Sequence, residues 1–212
     1  MFEIFKDKIL VIEGKDGCGK NTVADILHEK LHNSYICYFP DRTNYSGDVI
    51  NLILQKKMAF PDGCSFQALQ LANKIETLLK VDKETIRIPR YFIMCRYTPS
   101  TLVYGTIDKV DLDFSANISN VLPKAYMTFI LDGKNYRTDN VEYYETDEKQ
   151  KRVAELYLEY AQKFKWIVLD NHAKPEELAD TILRKLIAKE IKLGNEDMVT
   201  PAMIDRWCKM ED

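Results

Sequence analysis

The stretch that decides the fold is EGKDGCGKNT, residues 13–22. Gly14, Gly19 and Lys20 match a phosphate-binding loop, whose pattern is Gly, four residues, Gly, Lys and then Ser or Thr. An apolar run ends at Glu13 and a sequence of helical period follows Lys20, which is the context that this motif requires. Backbone N–H groups of such a loop and the N-terminus of the next helix bind phosphate. The stretch therefore predicts a nucleotide site beside a parallel sheet.

The loop departs from the pattern at its last position. Asn21 stands where Ser or Thr is expected, and a hydroxyl follows one residue later at Thr22. An amide oxygen is also a neutral ligand for Mg²⁺, so we predict that Asn21 is the metal ligand. Lys20 is expected to contact the β- and γ-phosphates during phosphoryl transfer. The predicted nucleotide-binding residues of the loop are Gly14, Gly17, Cys18, Gly19, Lys20, Asn21 and Thr22.

Short apolar runs alternate with segments of helical period along the rest of the chain. This alternation predicts an α/β fold, with a five-stranded parallel sheet flanked by helices in one domain, residues 1–212. The predicted strands are 8–13, 34–39, 91–95, 126–131 and 165–170. We expect them to be apolar throughout because both faces of a parallel sheet are covered. The predicted buried helix stripes are Val23, Ile26, Leu27 and Leu31; Val153, Leu156, Tyr157, Tyr160 and Phe164; and Leu178, Ile182, Leu183, Leu186, Ile187 and Ile191.

Composition excludes several classes of protein. The chain has 46% hydrophobic and 30% charged residues with a net charge of −3, which gives no bulk attraction for nucleic acid or anionic membranes. No run reaches the roughly 20 apolar residues of a membrane span, and the N-terminus leads directly into the loop. Five cysteines without metal-ligand spacing are typical of a reducing compartment. We expect a soluble cytoplasmic protein, located in the host cytoplasm if its source is viral.

Four further segments identify the family. Residues 38–57, 69–76, 95–105 and 122–131 follow the loop in an order and at distances that resemble a thymidylate kinase, a P-loop nucleoside monophosphate kinase with a short LID. Asp16, Arg42, and the pair Arg96 and Tyr97 are more specific for this family than the loop alone. The resemblance implies ATP-dependent phosphorylation of a deoxypyrimidine nucleoside monophosphate, with dTMP the first candidate. It also implies the cofactors ATP and Mg²⁺ and a homodimer.

The resemblance assigns roles to individual residues. Arg42 would bind the acceptor phosphate, Arg96 would contact both this phosphate and the transferred group, and Asp16 would contact the sugar 3′-hydroxyl. Tyr104 would close on the deoxyribose and leave little room for a 2′-hydroxyl. The remaining residues that the resemblance places at the acceptor nucleotide are Phe39, Gln70, Lys74, Ser100 and Tyr144.

The LID is expected at residues 132–147, which form a polar segment before a strong helix. Families of this type carry a catalytic arginine in the phosphate loop or in the LID. Because Gly17 occupies the loop position, the resemblance assigns this role to Arg137. Asn171 would lie where the family seats adenine and would contribute mostly through its backbone. The tail, residues 194–212, is expected to form a short helix packed on the edge of the domain.

Three substitutions depart from the family. Cys95 replaces an Asp that helps to organise metal and phosphates, Gln70 replaces an aromatic residue that stacks on thymine, and Lys74 replaces an Arg that donates to a base carbonyl. Lysine still donates, but from a single point. The pocket is therefore expected to favour a base with a carbonyl acceptor, with a preference relaxed or shifted toward dUMP, dGMP or a modified base.

Two other functions stay open at this stage. A catalytically weak or silent relative could bind nucleotide and act as a regulatory or structural partner, and the changes at Asn21 and Cys95 favour it. An ordinary NTPase or switch protein would have no need for Arg42 or a LID. The joint presence of Lys20, Asp16, Arg42 and Arg96 favours the kinase over the silent relative.

Overall fold

The computed structural model describes residues 2–31, 33–136 and 142–195. A short 3₁₀ turn, Glu3–Phe5, precedes the first strand. The strands are β1 (Ile9–Glu13), β2 (Ser34–Tyr38), β3 (Tyr91–Cys95), β4 (Met127–Asp132) and β5 (Ile167–Asp170). The helices are α1 (Lys20–Leu31), α2 (Tyr45–Leu54), α3 (Gly63–Glu84), α4 (Thr98–Ile107), α5 (Leu112–Ser119), α6 (Asp147–Phe164) and α7 (Pro175–Leu193).

The five strands form one parallel sheet in the order β2-β3-β1-β4-β5. The central strand β1 pairs with β3 and β4, so that Ile12 lies opposite Cys95 on one side and Phe129 on the other. The order reverses at β1, and open α/β sheets bind ligands outside the carboxyl ends of the strands at such a point. The predicted five-stranded sheet with flanking helices is confirmed.

Helices cover both faces of the sheet. On one face α1 and α7 pack together over β1, β3 and β4, and residues such as Leu27 and Leu183 are fully buried there. On the other face α4 and α6 bury Val103, Val153 and Tyr157 against the sheet and against α2 and α3. Burial of this apolar area is the main favourable term in folding. The carboxyl ends of the strands therefore lie between two packed layers of helices.

Burial differs from the sequence prediction at the two outer strands. Every residue of β1 and β3 is buried, but β2 and β5 are only partly buried, with Tyr35 and Val168 exposed. These strands lie at the sheet edges, where each pairs with a neighbouring strand on one side only among the described residues. The predicted stripes were wrong at Phe164, which is 42% exposed, and at Ile191, because both side chains lie near the C-terminal ends of their helices.

The segment expected to form the LID lies between the last residues of β4 and the start of α6. The structure describes residues 133–136 and 142–146 of this connection. Arg137 and the helix expected in the C-terminal tail lie outside the described residues. In the part of the chain that the structure describes, no helix has the length and apolar character needed to cross a membrane.

Candidate functional site

The phosphate-binding loop follows β1 and ends at α1, as its pattern predicts. Gly14, Gly17 and Gly19 have positive φ angles of 141°, 73° and 87°. A Cβ atom on Gly14 would lie 2.4 Å from the backbone oxygen of Leu131 and 2.8 Å from Sγ of Cys18. Glycine alone accepts this combination of backbone angle and close approach at residue 14.

A cavity of about 780 Å³ opens beside the loop at the carboxyl ends of the strands. Most of the residues that the sequence predicted for the site line it, although they come from seven separate elements and loops. They are Asp16, Gly17, Gly19, Lys20, Asn21, Thr22, Phe39, Arg42, Gln70, Lys74, Arg96, Ser100, Tyr104 and Tyr144. Gly14, Cys18 and Asn171 lie behind this lining.

Lys20 begins α1 and folds back into the loop. Its Nζ donates to the backbone oxygens of Gly14 at 3.0 Å and Lys15 at 2.6 Å, and it lies 3.7 Å from Sγ of Cys18. The side chain is buried. Backbone carbonyl oxygens of the loop therefore hold the ammonium group at the cavity wall, where it could contact a bound phosphate.

Asp16 and Arg96 form a partly buried ion pair at the mouth of the loop. Arg96 also donates from NH1 to the hydroxyl oxygen of Tyr104 at 3.0 Å, and its guanidinium lies 5.7 Å from the centre of that ring. Burial acts to lower the pKa of Arg96, but Tyr104, Tyr157 and Glu13 outweigh burial, so that the pKa is raised. Arg96 is thus a permanent positive charge at the cavity wall.

Gln150 holds Asp16 from the first turns of α6. Its Oε1 accepts from the backbone N–H of Asp16 at 2.8 Å, and its Nε2 donates to Oδ2 of Asp16 at 3.0 Å and to the backbone oxygen of Tyr144 at 2.9 Å. Sequence reasoning missed this residue. Its spacing could have indicated it. Gln150 precedes Val153 by three residues and Tyr157 by seven, which places this polar side chain on the buried face of α6.

Glu13 is a buried anion that sequence reasoning also missed. Its carboxylate accepts from the backbone N–H groups of Tyr97 at 2.6 Å and Ser100 at 3.1 Å, and from the hydroxyls of Ser100 and Tyr157, each at 2.8 Å. The first two donors belong to the N-terminus of α4, where a negative charge is favourable. Ser100, predicted to bind substrate, lines the cavity with its hydroxyl bound to Glu13.

The residues near the expected metal are Asn21, Thr22 and Cys95. Cys95 is buried, with Sγ 4.0 Å from the backbone oxygen of Lys20, and burial raises its pKa well above the usual range. A neutral thiol is a poor ligand for Mg²⁺, which prefers oxygen. Among the described residues no group of three or more His, Cys, Asp or Glu could hold a metal. The oxygens of Asn21 and Thr22 at the cavity wall are the protein donors that suit Mg²⁺ here.

The far end of the cavity holds the buried lysine of α3. Lys74 is 2% exposed; its Nζ lies 3.5 Å from the backbone oxygen of Gln70 and 5.9 Å from the centre of the Phe39 ring. Burial lowers the pKa of Lys74 to about 8, and the negative charge of Glu13 opposes this only in part. Within the described part of the chain the ammonium group has one long hydrogen bond, and it faces the cavity, so it is available to a ligand.

Tyr144, which follows the expected LID, closes the same end of the cavity. Its hydroxyl donates to Oδ2 of Asp108 at 2.5 Å, and its ring meets that of Tyr104 edge-on at 4.8 Å. Gln67 donates to the same oxygen of Asp108 at 3.2 Å. Burial raises the pKa of Asp108, although both hydrogen bonds act to lower it. Gln67 and Asp108 were not predicted from the sequence.

Arg42 lines the cavity, whereas Asn171 is buried behind its lining. Arg42 is about half exposed and forms an ion pair with Glu142 at 2.7 Å. The Asn171 side chain donates to the backbone oxygens of Cys18 at 3.0 Å and Lys134 at 2.8 Å, and accepts from the backbone N–H of Lys134 at 2.5 Å. These bonds tie the phosphate loop to the start of the connection after β4. The backbone oxygen of Asn171 accepts from the Tyr136 hydroxyl at 2.7 Å, so a role at adenine stays a prediction.

Comparison with known proteins agrees with this geometry. Residues 12–182 match the sequence profile of a family described as "Thymidylate kinase". A thymidylate kinase from Plasmodium falciparum is 27% identical over 204 residues, covering 91% of this chain and 94% of that protein. A probable thymidylate kinase from Pyrobaculum aerophilum is 30% identical over 181 residues, covering 80% and 91%.

Two solved structures are similar over most of the chain. The thymidylate kinase from Candida albicans has a TM-score of 0.66 and 26% identity, and the match covers 86% of this chain and 92% of that one. The thymidylate kinase from Ehrlichia chaffeensis has a TM-score of 0.63 and 22% identity, covering 83% and 98%, and it supports the fold alone.

Proposed function

The chain belongs to the thymidylate kinase family, and we propose that its cavity transfers the γ-phosphoryl group of ATP to dTMP, forming dTDP and ADP. The observation that carries this proposal is the Asp16–Arg96–Tyr104 network, which joins the phosphate loop to the ends of two further elements around one cavity. An NTPase that uses water as its acceptor has no need for this second set of residues.

The chain's own residues supply position and charge. An oxygen of the acceptor 5′-phosphate forms a bond to the γ-phosphorus as the bond from that phosphorus to the β-phosphate oxygen breaks, and ADP leaves. The attacking oxygen is already anionic, so no general base is needed. Lys20 neutralises the donor phosphates, Arg42 binds the acceptor phosphate and Arg96 contacts the transferred group. Arg137 is proposed as the LID arginine from the sequence alone.

The sugar is proposed to bind between Asp16 and Tyr104. Asp16 Oδ2 already accepts from the Tyr104 hydroxyl at 3.2 Å, so both groups lie within reach of one ligand hydroxyl. We assign the 3′-hydroxyl to Asp16. The Tyr104 ring packs against the face where a ribose would carry its 2′-hydroxyl, which favours deoxynucleotides. Gln150 positions the Asp16 carboxylate for this contact.

Mg²⁺ is proposed to bind with the phosphates of ATP. Mg²⁺ keeps several waters and is held by few protein ligands plus phosphate oxygens, so Asn21 and Thr22 suffice as the protein's oxygen donors. When bound, it would neutralise charge on the transferred phosphoryl group.

The base preference is proposed to be broader than thymine alone. Gln70 gives no aromatic stacking surface, and the single ammonium of Lys74 requires only one carbonyl acceptor. The Candida albicans relative is described as having a broad substrate specificity. We therefore expect dUMP to be a substrate beside dTMP. Efficient use of dTMP with no turnover of dUMP or dGMP would contradict this proposal.

We also propose a homodimer in a reducing, cytoplasmic compartment. Cys18, Cys37, Cys64 and Cys95 are all free thiols, which is typical of such a compartment. The second copy would cover an exposed apolar face on α2.

The first experiment is a coupled ADP-release assay with ATP and Mg²⁺ against a panel of deoxy- and ribonucleoside monophosphates. Turnover of dTMP above that of every ribonucleotide is the expected result. Replacement of Mg²⁺ by EDTA should abolish it. Silence across the panel, with ATP binding intact in a thermal-shift control, would instead support the nucleotide-binding partner without catalysis.

A further inference from the structure

Gln67 and Asp108 form a partly buried pair at the far end of the cavity that phosphoryl transfer does not use. Gln67 is 2% exposed and lines the cavity together with Lys74, seven residues along the same helix. Asp108 lies at the C-terminal end of α4 behind this wall. Oδ2 of Asp108 accepts from both Gln67 Nε2 and the Tyr144 hydroxyl.

The Asp108 carboxylate determines which way the Gln67 amide faces. An ionised carboxylate accepts hydrogen bonds and donates none, so Gln67 must turn its NH₂ group toward Asp108. Its carbonyl oxygen then faces away from Asp108. No described residue donates to that oxygen. Among the described residues, the fully buried side-chain atoms that lack a partner are Ser115 Oγ and Tyr126 OH, so the Gln67 oxygen is not enclosed in the protein interior. Because Gln67 is almost fully buried, the cavity is the route by which its oxygen is accessible.

The base end of the cavity therefore presents one donor and one acceptor from the same helix. The donor is the Lys74 ammonium, whose single hydrogen bond to the described residues is the 3.5 Å contact to the backbone oxygen of Gln70. The acceptor is Oε1 of Gln67. A planar ring that carries a carbonyl beside an N–H satisfies both, and an unsatisfied group in such a buried place is costly.

We propose that Asp108 positions Gln67 to accept the ring N–H of the substrate base, so that Gln67 and Lys74 together read the carbonyl–N–H edge of thymine or uracil. This inference rests on the proposed function and names the determinant of its base class. Cytosine reverses both groups: its ring nitrogen would oppose the Gln67 oxygen, and its amino group would oppose the Lys74 ammonium. Asp108 is a positioning residue, since it reaches the base only through Gln67.

The competing explanation is structural: the pair would merely tie α3 to the end of α4. The two explanations differ in what they predict for dTMP and 5-methyl-dCMP. These substrates share the phosphate, sugar and methyl group and differ only at the edge in question. A structural role would change the turnover of both by the same factor.

The experiment measures kcat/KM for dTMP and 5-methyl-dCMP in the wild type, Asp108→Asn and Gln67→Met. In Asp108→Asn the new amide can donate or accept, so the side-chain amide of Gln67 can adopt either orientation. We expect the ratio of dTMP to 5-methyl-dCMP to fall about tenfold in both variants with the KM for ATP unchanged, the scale of one or two hydrogen bonds. An unchanged ratio in both variants would overturn the inference.

Two controls separate the possible causes. Gln55→Met removes a partly buried glutamine amide at the end of α2, outside the cavity, and should leave the ratio unchanged. Tyr144→Phe removes the other donor to Asp108 and leaves Gln67 in place, so it should change the ratio less than Gln67→Met does. If Asp108→Asn does not fold, Gln67→Met still decides the matter.

The outcome is distinguishable from failure of the proposed function. If the wild type phosphorylates dTMP and neither variant shifts the ratio, this inference alone fails. If the wild type phosphorylates neither substrate, the kinase proposal fails. The binding constants of dTMP and 5-methyl-dCMP, measured by calorimetry on the same proteins, then test the reading of the base edge without catalysis.

Discussion

Gln150 shows how a single amide can connect two distant parts of the chain. It bonds to both the backbone N–H and the carboxylate of Asp16, and it is separated from Asp16 by 134 residues. Without it, one buried backbone donor would lose its partner, and Asp16 would keep Arg96 and Tyr104 as its side-chain contacts. Hydrogen bonds to charged groups contribute about 1.5–3 kcal/mol each.

We predict that Gln150→Leu lowers kcat/KM for dTMP by roughly 10- to 100-fold, because the Asp16 carboxylate loses its orientation toward the sugar. The dissociation constant of ATP should stay within about twofold. Steady-state kinetics and calorimetry measure the two quantities. Gln162→Leu, an exposed glutamine on the same helix, is the matched control. A Gln150→Leu enzyme with the kinetics of this control would show that Asp16 needs no such support.

Lys74 is a charge buried in a position where it costs stability. Its pKa is lowered to about 8 from 10.5, first by burial, with Glu13 opposing. Between pH 8 and 10.5 the unfolded chain therefore binds more protons at this residue than the folded protein does. The sign of the linkage means that the free energy of unfolding rises with pH across this window.

We predict that Lys74→Met raises the free energy of unfolding at pH 7 by up to about 3 kcal/mol. This is the free energy that corresponds to the lowering of the Lys74 pKa from 10.5 to about 8. The gain should shrink as the pH rises from 8 to 10.5, and binding of dTMP should weaken at every pH. Urea denaturation at several pH values measures the first effect. Lys151→Met, at an exposed lysine of α6, should follow the wild type throughout. A gain that did not vary with pH would point to improved packing and not to the buried charge.

At the scale of elements, an aromatic cluster joins the end of the connection after β4 to the segment between α2 and α3. The rings of Phe60 and Tyr143 stack at 4.3 Å with an angle of 8°, and Nζ of Lys149 lies 3.5 Å from the centre of Tyr143. The backbone N–H of Tyr143 donates to the oxygen of Leu54 at 2.8 Å. This cluster holds the neighbouring Tyr144 against the cavity.

We predict that Phe60→Leu lowers the free energy of unfolding by about 1 kcal/mol, the usual contribution of a stacked aromatic pair. It should also raise the KM for dTMP several-fold, because Tyr144 loses its support, and leave the KM for ATP unchanged. Phe164→Leu is the matched control, since Phe164 stacks on Trp166 at 5.3 Å far from the cavity. Equal effects of the two variants on the KM for dTMP would contradict this role.

At the scale of the whole molecule, α2 carries an apolar face that the rest of the described chain leaves exposed. Tyr45, Val49 and Leu52 are all exposed, Tyr45 by 89%, and their spacing of four and three residues places them on one side of the helix. The apolar residues of α3 are less available: Phe66 is buried in the core, and Leu69 and Ile75 are partly buried against it.

We predict that the wild type sediments as a dimer and that Leu52→Arg sediments as a monomer of about half the mass. The arginine would place a charge in the apolar centre of the interface, where it has no partner. Val121→Arg is the control, because Val121 is exposed on another part of the surface. A monomeric wild type at micromolar concentration, measured by sedimentation velocity, would rule out the proposed assembly.

Sequence reasoning succeeded where the information was local. The strand bounds agree within two residues at every strand, and the loop glycines have the positive φ angles that their pattern requires. It was less successful at the ends of elements and at the sheet edges, as Phe164 and Tyr35 show. Exposure there depends on what lies beside a residue in space, which hydrophobic periodicity does not encode.

The sequence by itself determined the parallel sheet, the phosphate loop and the position of Asp16, Arg42 and Arg96 at the carboxyl ends of the strands. Periodicity and glycine placement act over a few residues, and parallel strands bring their carboxyl ends together whatever the connections between them. Only the tertiary structure decided that Gln150 holds Asp16 and that Asp108 orients Gln67. Both contacts form between side chains that meet only when separate helices pack on the sheet, and a hydrogen bond requires those atoms within about 3 Å.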